Sequence, residues 1–524
     1  MPITDEVKKA KLVQPADSST RRIYWLNHFK TKREDGEAVE LRPTPEQLAV
    51  AIAKCSRSST PFDQNVDDVS LEKAAEFHEK WVVGYGHSSV AEHAVASVAF
   101  QNIPQTIIKI LEDSRLASFT EVSSRYQVFT RQRVGIPKSL AQSQFAGRVS
   151  ELFDALYNLY DECYALLDPI FRERQPQGDM PDGAYKATIK AMTCDRVRYL
   201  LPAAALASLG MTANARVWEH ALIKLLSSSD PLAQQIGEEI KSVLRGFANL
   251  DRDQALKHFP LPTLLKYADP SAYLASLPDK MAGLASEILA EKKSETKEYA
   301  TGATAENPVV CTYDDNLAEM RIAAALLSRH ALIPMEQALN TVSRDRPLQE
   351  KIIRTALEDR GLHDTPPREF EHAWFQHEII MDYGAWRDIQ RHRICTQTNQ
   401  PLGTDLGFDI PEEIGEIGKA KEFAEVMDQA RQLNREILAA GLVAEAQYVV
   451  PMAYRRRLLV SWNLRELFHF IELRSGKKGH PSYRRIAQKI WRTLDESHSV
   501  LASLIRVDLS QENISTLGAK PKGF

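Results

Sequence analysis

Cysteine is scarce. The five residues Cys55, Cys163, Cys194, Cys311 and Cys395 form no CxxC pair, so neither a disulfide framework nor a zinc-ribbon spacing is present, and a reducing, cytoplasmic setting is expected. No apolar run reaches the roughly 18 residues that a membrane-spanning helix needs, and the opening MPITDEVKKAKLV lacks the apolar core of a signal peptide. No membrane partner is therefore expected. Charge of one sign is not in excess: a formal net charge of -4 gives no general pull toward nucleic acid or anionic lipid. HExxH is absent, so His87, Glu92 and His93, like His372 and His377, lack a ligand pattern and no metal is expected. GYGHSS lacks the third glycine of a dinucleotide fingerprint, and no GxxxxGK[ST] phosphate loop exists. Cys395, inside RHRIC, has no general base placed beside it by sequence, which points to a buried thiol rather than a nucleophile.

What is present fits a globular enzyme, with 44% hydrophobic and 26% charged residues. A chain of 524 residues exceeds what one hydrophobic core usually supports, so two domains are expected. Apolar residues recur at helical spacing over 71–83 and 105–118, and helix dominates the pattern. Between them HAVASVAFQNIP, rich in small and β-branched residues and closed by Asn and Pro, reads as a strand. Residues 1 to about 20 are polar, and the polar stretch 288–308, ending in Gly, Asn and Pro signals, is the expected linker between a unit at 21–300 and a unit at 305–524.

The two units repeat one another. Glu92-His93 has a counterpart in Glu371-His372, and Arg115 has one in Arg393, at separations of 23 and 22 residues. Pro202 and Asn214 lie 12 residues apart, as do Pro451 and Asn463, and Arg216 and His220 then match Arg465 and His469 at identical offsets. Four ordered anchors point to duplication. The offset between copies falls from 278 at the arginine to 249 at the proline, which predicts about 29 extra residues in the first copy, read as helical insertions around 134–190.

These residues carry a family resemblance. GHSSVAEH (86–93) followed by SRLASFTEVSSRY (114–126), together with Arg391-His392-Arg393 and the run Asn463, Arg465, His469, Arg474, resembles the flavin-dependent thymidylate synthases, whose signature reads RHRxxSxxExSxRY. The resemblance covers roughly 70–240 and 365–490. It implies an α/β fold of the α+β kind: two homologous, helix-rich domains fused in tandem, each an antiparallel sheet flanked by helices. It also implies FAD-dependent methylation of dUMP to dTMP, with methylenetetrahydrofolate and NADPH as co-substrates and no protein nucleophile. By the same resemblance His87, Ser89, Arg391, His392, Arg393, Asn463, Arg465 and His469, with Asn214, Arg216 and His220, would hold the flavin. Glu121, Ser123, Arg125, Arg198, Arg391 and Arg474 would hold dUMP, and Arg474 is the catalytic candidate that polarises the pyrimidine. Guanidinium groups suit both a phosphate dianion and an ionising uracil, because they stay charged and donate in a fork.

The copies depart from the signature in complementary ways. In the first, Asp113-Ser114-Arg115 replaces RHR and Leu225 replaces the final arginine; in the second, Asn399, Pro401 and Gly403 replace the Glu, Ser and Arg of ExSxR. Gln447 stands where the first copy has Arg198, and Asp388 stands where the family has a glutamine. The resemblance therefore implies one hybrid site, with RHR and Arg474 from the second copy and Glu121, Ser123 and Arg125 from the first. A homodimer would then supply the family's four units. Replacing Arg125 or Arg474 by alanine should abolish activity while leaving the fold intact. The alternative is a non-catalytic homologue that binds flavin or nucleotide for a structural or regulatory purpose.

Overall fold

The computed structural model describes residues 26–27, 29–32, 38–56, 62–247, 249–292 and 302–510. The polar stretch 1–20 and residues 293–301 of the expected linker lie outside the described residues. Two compact units emerge, one of Met1–Ala96, Ala213–His220 and Glu239–Ala268, the other of Ser97–Thr212, Ala221–Glu238 and Asp269–Phe524. This division differs from that of the sequence repeats, since the second unit holds most of both copies.

The first unit opens on the hairpin β1 (Phe29–Lys32) and β2 (Ala38–Leu41). Helix α1 (Pro45–Lys54) starts at a capping box in which Thr44 and Gln47 satisfy each other's backbone N–H groups, with Pro45 at its first position. The Glu46 carboxylate accepts from the backbone N–H groups of Thr263 and Leu264, each at 2.8 Å, and burial pushes its pKa up to about 7. Helix α2 (Leu71–Phe77), capped by Ser70, runs into a π-helical turn, His78–Gly84, where periodicity alone predicts one continuous α-helix. A small core of Val50, Val69 and Ala74, packed against Phe77, holds these helices together.

The duplication is visible element by element. The first copy contributes β3 (Val95–Pro104), α3 (Gln105–Glu112) and β4 (Ser118–Glu121), then α4 (Ala146–Arg174), α5 (Asp182–Val197), β5 (Leu206–Asn214) and α6 (Ala215–Leu226). Helix α7 (Ala272–Lys292) follows, and the edge strand β6 (Val309–Tyr313) opens the second copy. That copy continues with β7 (Trp374–Asp382), α8 (Tyr383–Gln390) and β8 (Cys395–Asn399), then α9 (Ala420–Ala439), α10 (Val443–Ala446), β9 (Arg455–Asn463), α11 (Leu464–Ser475) and α12 (Pro481–Ser497). The sheets run β3-β5-β4 and β6-β7-β9-β8. Their antiparallel registers correspond: Ser118 faces Thr212 as Thr396 faces Ser461, and Glu121 faces Leu209 as Asn399 faces Leu458. Where the copies differ in length, the helices differ. α4 and α5 have 29 and 16 residues against 20 and 4 in α9 and α10.

Within the second compact unit the copies meet reciprocally. Pro202 and Pro451 form an antiparallel bridge. Ala203 N–H donates to Val450 O at 2.9 Å while Met452 N–H donates to Leu201 O at 2.9 Å; Ala204 N–H donates to Tyr448 O while Ala453 N–H donates to Tyr199 O. Each bond is the other's image under the repeat offset, so the duplicated segments pair as a two-fold interface would, inside one chain. The sequence-level matching of Pro202 with Pro451 thus marks the axis itself.

An ion-pair cluster around the buried His498 anchors the end of α12. His498 donates from Nδ1 to Glu319 at 2.8 Å and from Nε2 to Asp314 at 2.9 Å, an arrangement open only to the imidazolium. Burial opposes that charge, but the two carboxylates outweigh it and raise the pKa above the ordinary histidine value. A raised folded-state pKa stabilises fully below the unfolded value and loses that contribution as pH climbs through the folded one. Denaturation of the wild type and of His498→Gln at pH 6 and pH 9 should show the stability gap between them narrowing at the higher pH.

Candidate functional site

Helix α8 begins at a buried cap. Asp382 Oδ1 accepts from Ala385 N–H at 2.7 Å and Oδ2 from the Ser482 hydroxyl, and burial raises the Asp382 pKa to about 6. One turn on, Arg387 and Arg391 share a face at i,i+4, with Asp388 between them. These residues line a cavity of about 810 Å³ whose other walls are the 121–126 segment, Arg198, Arg474 and the loop Gly476–Gly479. Gly384 also faces it, and a Cβ there would come within 3.2 Å of the Asp382 carboxylate and 3.4 Å of the Met452 Cβ.

Glu121 is the junction of the two copies. Its carboxylate accepts from Lys109 at 3.0 Å and from Arg387, and Arg391 stands 3.7 Å away. Burial alone would push its pKa up, but Arg387 and Lys109 hold it well below the usual carboxylate range. Lys109 and Arg387 occupy the same position in the two copies, so the repeat axis brings both onto one glutamate. Arg125 is buried and forks onto Asp195 at 2.7 and 2.8 Å, with a further bond of 3.0 Å to the Tyr483 hydroxyl. The Ser123 hydroxyl accepts from Arg125 N–H at 3.2 Å and so shapes the turn. Arg198 is 1% exposed and lines the cavity, yet its Nε and one terminal nitrogen have no partner among the described residues. Its charge is felt by Asp388 and Asp382, but two of its nitrogens lack an acceptor, which an anionic ligand would supply.

Arg474, in the last turn of α11, donates from Nε to His392 Nε2 at 3.0 Å and from a terminal nitrogen to Asp388 O at 2.7 Å. Because an arginine only donates, His392 Nε2 must be the acceptor, and its Nδ1 carries the proton that goes to Glu466 at 2.8 Å. Burial, reinforced by Arg474, keeps His392 neutral. Burial also raises Asp388, but Arg474, Arg198, Arg125 and Arg391 together hold it below its ordinary value. A second cavity of about 510 Å³ is lined by Arg115, Arg391, His392, Arg393 and His469, and a third of about 650 Å³ by Asn463, Arg465 and His469 among others. Shared walls make them neighbours: Arg391 borders the first and the second, and His469 and Glu466 border the second and the third.

Several candidates have local structural duties. Asn463 Oδ1 caps α11 by accepting from Glu466 N–H at 2.9 Å, and Arg465 pairs with Glu371 at 3.0 Å. Their repeat partners do the same in the first compact unit: Asn214 accepts from Val217 N–H at 3.0 Å, and Arg216 pairs with Glu92 at 2.6 Å. His220, His87 and Ser89 of that unit are exposed, His87 lying against Trp81. Sequence reasoning missed Arg387, Asp195, Lys477, Lys478 and Tyr483. Spacing carried a signal for two of them: Arg387 lies one turn before Arg391, and Asp195 lies one turn before Arg198.

Comparison with known proteins gives the lineage. A family profile described as thymidylate synthase complementing protein matches residues 38–248 and again residues 309–498, which together make up most of the chain. The chain belongs to this family. It matches the profile twice, in agreement with the tandem repeat. A UPF0159 protein of Chlamydia muridarum is 30% identical over 97% of this chain and 98% of its own length. The flavin-dependent thymidylate synthase of Clostridium tetani is 22% identical over 48% of this chain and 92% of its own length. Among solved structures, the flavin-dependent thymidylate synthase of Helicobacter pylori, complexed with FAD and dUMP, aligns with a TM-score of 0.28 and 19% identity over 38% of this chain and 98% of that one.

The reciprocal positions serve packing and local hydrogen bonds. Leu225, the counterpart of Arg474, is fully buried. Asn399, the counterpart of Glu121, accepts from Trp386 Nε1 at 3.0 Å, and Gln447, the counterpart of Arg198, accepts from Leu402 N–H at 3.3 Å. Arg125 and Asp195 correspond to Gly403 and Ala444, so both halves of a buried ion pair are missing together from the second copy. Joint loss avoids stranding a charge.

Proposed function

We propose that the chain is a flavin-dependent methylating enzyme acting on dUMP, with one hybrid active site per chain. The observation that carries this reading is Arg198, buried with unpartnered N–H groups, in a cavity walled by Arg125 and Glu121 of one copy and by Arg387, Arg391 and Arg474 of the other. The donor set suits a nucleoside monophosphate: Arg198 and Arg391 take the phosphate, and Arg474, fixed through His392 and Asp388, presents its guanidinium to the pyrimidine edge. Glu121 aims Arg387 and Arg391, and Ser123 sets the turn that carries Arg125.

The adjoining cavities suit FAD, since Arg391, Arg393 and Arg465 offer cations to a pyrophosphate while His469, braced by the buried His392 ring at a centroid distance of 5.3 Å, lines both of them. Bound there, the flavin supplies redox chemistry and one-carbon relay, with methylenetetrahydrofolate and NADPH as co-substrates. Arg391 borders both cavities, so one guanidinium would hold nucleotide and flavin in register. Two chains would bring four copies of the fold together, and we propose a homodimer.

Growth of a thymidine-requiring host expressing the chain is the direct test, and rescue is expected. A second reading, a flavin- or nucleotide-binding protein without turnover, draws on Asp388, a carboxylate facing a cavity meant for an anion. A yellow protein that never rescues would favour it. Titration with FAD should saturate at one equivalent per chain; two tight equivalents would mean that the first copy's Asp113-Ser114-Arg115 also holds a flavin.

A further inference from the structure

Helix α7, Ala272–Lys292, lies outside both family-matched segments. Along it Leu274, Leu277, Met281, Leu284 and Ile288 are 37, 36, 53, 47 and 46% exposed. Their spacing is 3-4-3-4, the a/d pattern of a coiled coil, over about two heptads of a 21-residue helix that holds Pro278 at an e position. A solvated helix has no reason to keep five large apolar side chains in that register, and monomeric proteins rarely expose such a continuous stripe. The small Ala285 falls at an e position beside the seam and leaves room for close approach.

Charge identifies the occupant. With Leu274 and Leu277 as a and d, Lys280 and Glu287 both fall at g, and Glu291 falls at the last d position. In an antiparallel pair of identical helices the g positions flank one another, so each Lys280 would meet the other copy's Glu287, twice by symmetry, while Met281 packs on Leu284 and Leu277 on Ile288. A parallel pair would bury Glu291 against its own copy, and like charges there repel. Opposed helix dipoles favour the antiparallel choice as well. We propose that α7 is a self-association arm that pairs antiparallel with α7 of a second copy of this chain.

Sedimentation velocity of the full chain over a concentration series tests this. Leu284→Asp should raise the dimer dissociation constant by at least about tenfold while leaving the helical circular dichroism unchanged, since the side chain is exposed in the monomer. Lys280→Glu and Glu287→Lys should each weaken association, and the double swap Lys280→Glu/Glu287→Lys should restore it, because the pair is re-formed with its signs exchanged. A wild-type chain that stays monomeric, a dissociation constant that moves less than about threefold with Leu284→Asp, or single swaps that the double swap does not rescue would each overturn the proposal.

Discussion

Replacing Arg125 by alanine should cost the folded chain about 3–5 kcal/mol, because it leaves the fully buried Asp195 as an uncompensated charge. The sequence reading treats this substitution as a clean probe of nucleotide binding that leaves the fold intact. The structure corrects it: the guanidinium is forked onto Asp195 and bonded to Tyr483, so it is part of the core before it is part of any site. The second copy shows how the pair can be removed, with Gly403 and Ala444 in the two places. Arg125→Ala/Asp195→Ala should therefore be more stable than Arg125→Ala alone, although it lacks more groups. Urea denaturation of both variants measures the difference, and a double variant no better than the single one would show that Asp195 is satisfied some other way.

The duplication was legible because it is written in residues that two-fold packing cannot spare. Pro202 and Pro451 sit on the axis, and Asn214 and Asn463 cap equivalent helices. The arginines Arg125, Arg198, Arg391 and Arg474 of the 810 Å³ cavity were legible by motif. Arg387 was not, since a lone arginine on a helix gives no sign that it will meet Glu121 from the other copy, a pairing of sequence separation 266. Asp195 and Tyr483 were hidden for the same reason: their importance lies in whom they touch. The boundary between compact units was illegible too, because β3 and β5 pass through it. Sequence periodicity reports elements and says nothing of where contacts thin out.

Replacing Arg474 by alanine should reduce turnover on dUMP by about 10²- to 10³-fold, the loss seen when one preorganised donor is withdrawn from a developing charge. The reason lies in how tightly the group is aimed. Its Nε is committed to His392 and one terminal nitrogen to the Asp388 carbonyl, while the other terminal nitrogen stands 3.6 Å from the Asp388 carboxylate, which fixes the guanidinium in the cavity wall. Lysine cannot reproduce this, because a single ammonium has no planar fork to fix by two partners and still present a third face. Arg474→Lys should thus fall close to Arg474→Ala in turnover. Stability should change far less than with Arg125→Ala, since Arg474 pairs with no fully buried carboxylate. Its removal also takes away the strongest of the positive charges holding Asp388 low, so the Asp388 pKa should rise and nucleotide binding become more dependent on pH in the acid range. The measurement is flavin reoxidation by dUMP and methylenetetrahydrofolate in single turnover, with dUMP affinity determined separately. A variant that keeps its turnover and loses only affinity would place Arg474 at the phosphate instead of the pyrimidine, and one that keeps both would remove it from the site.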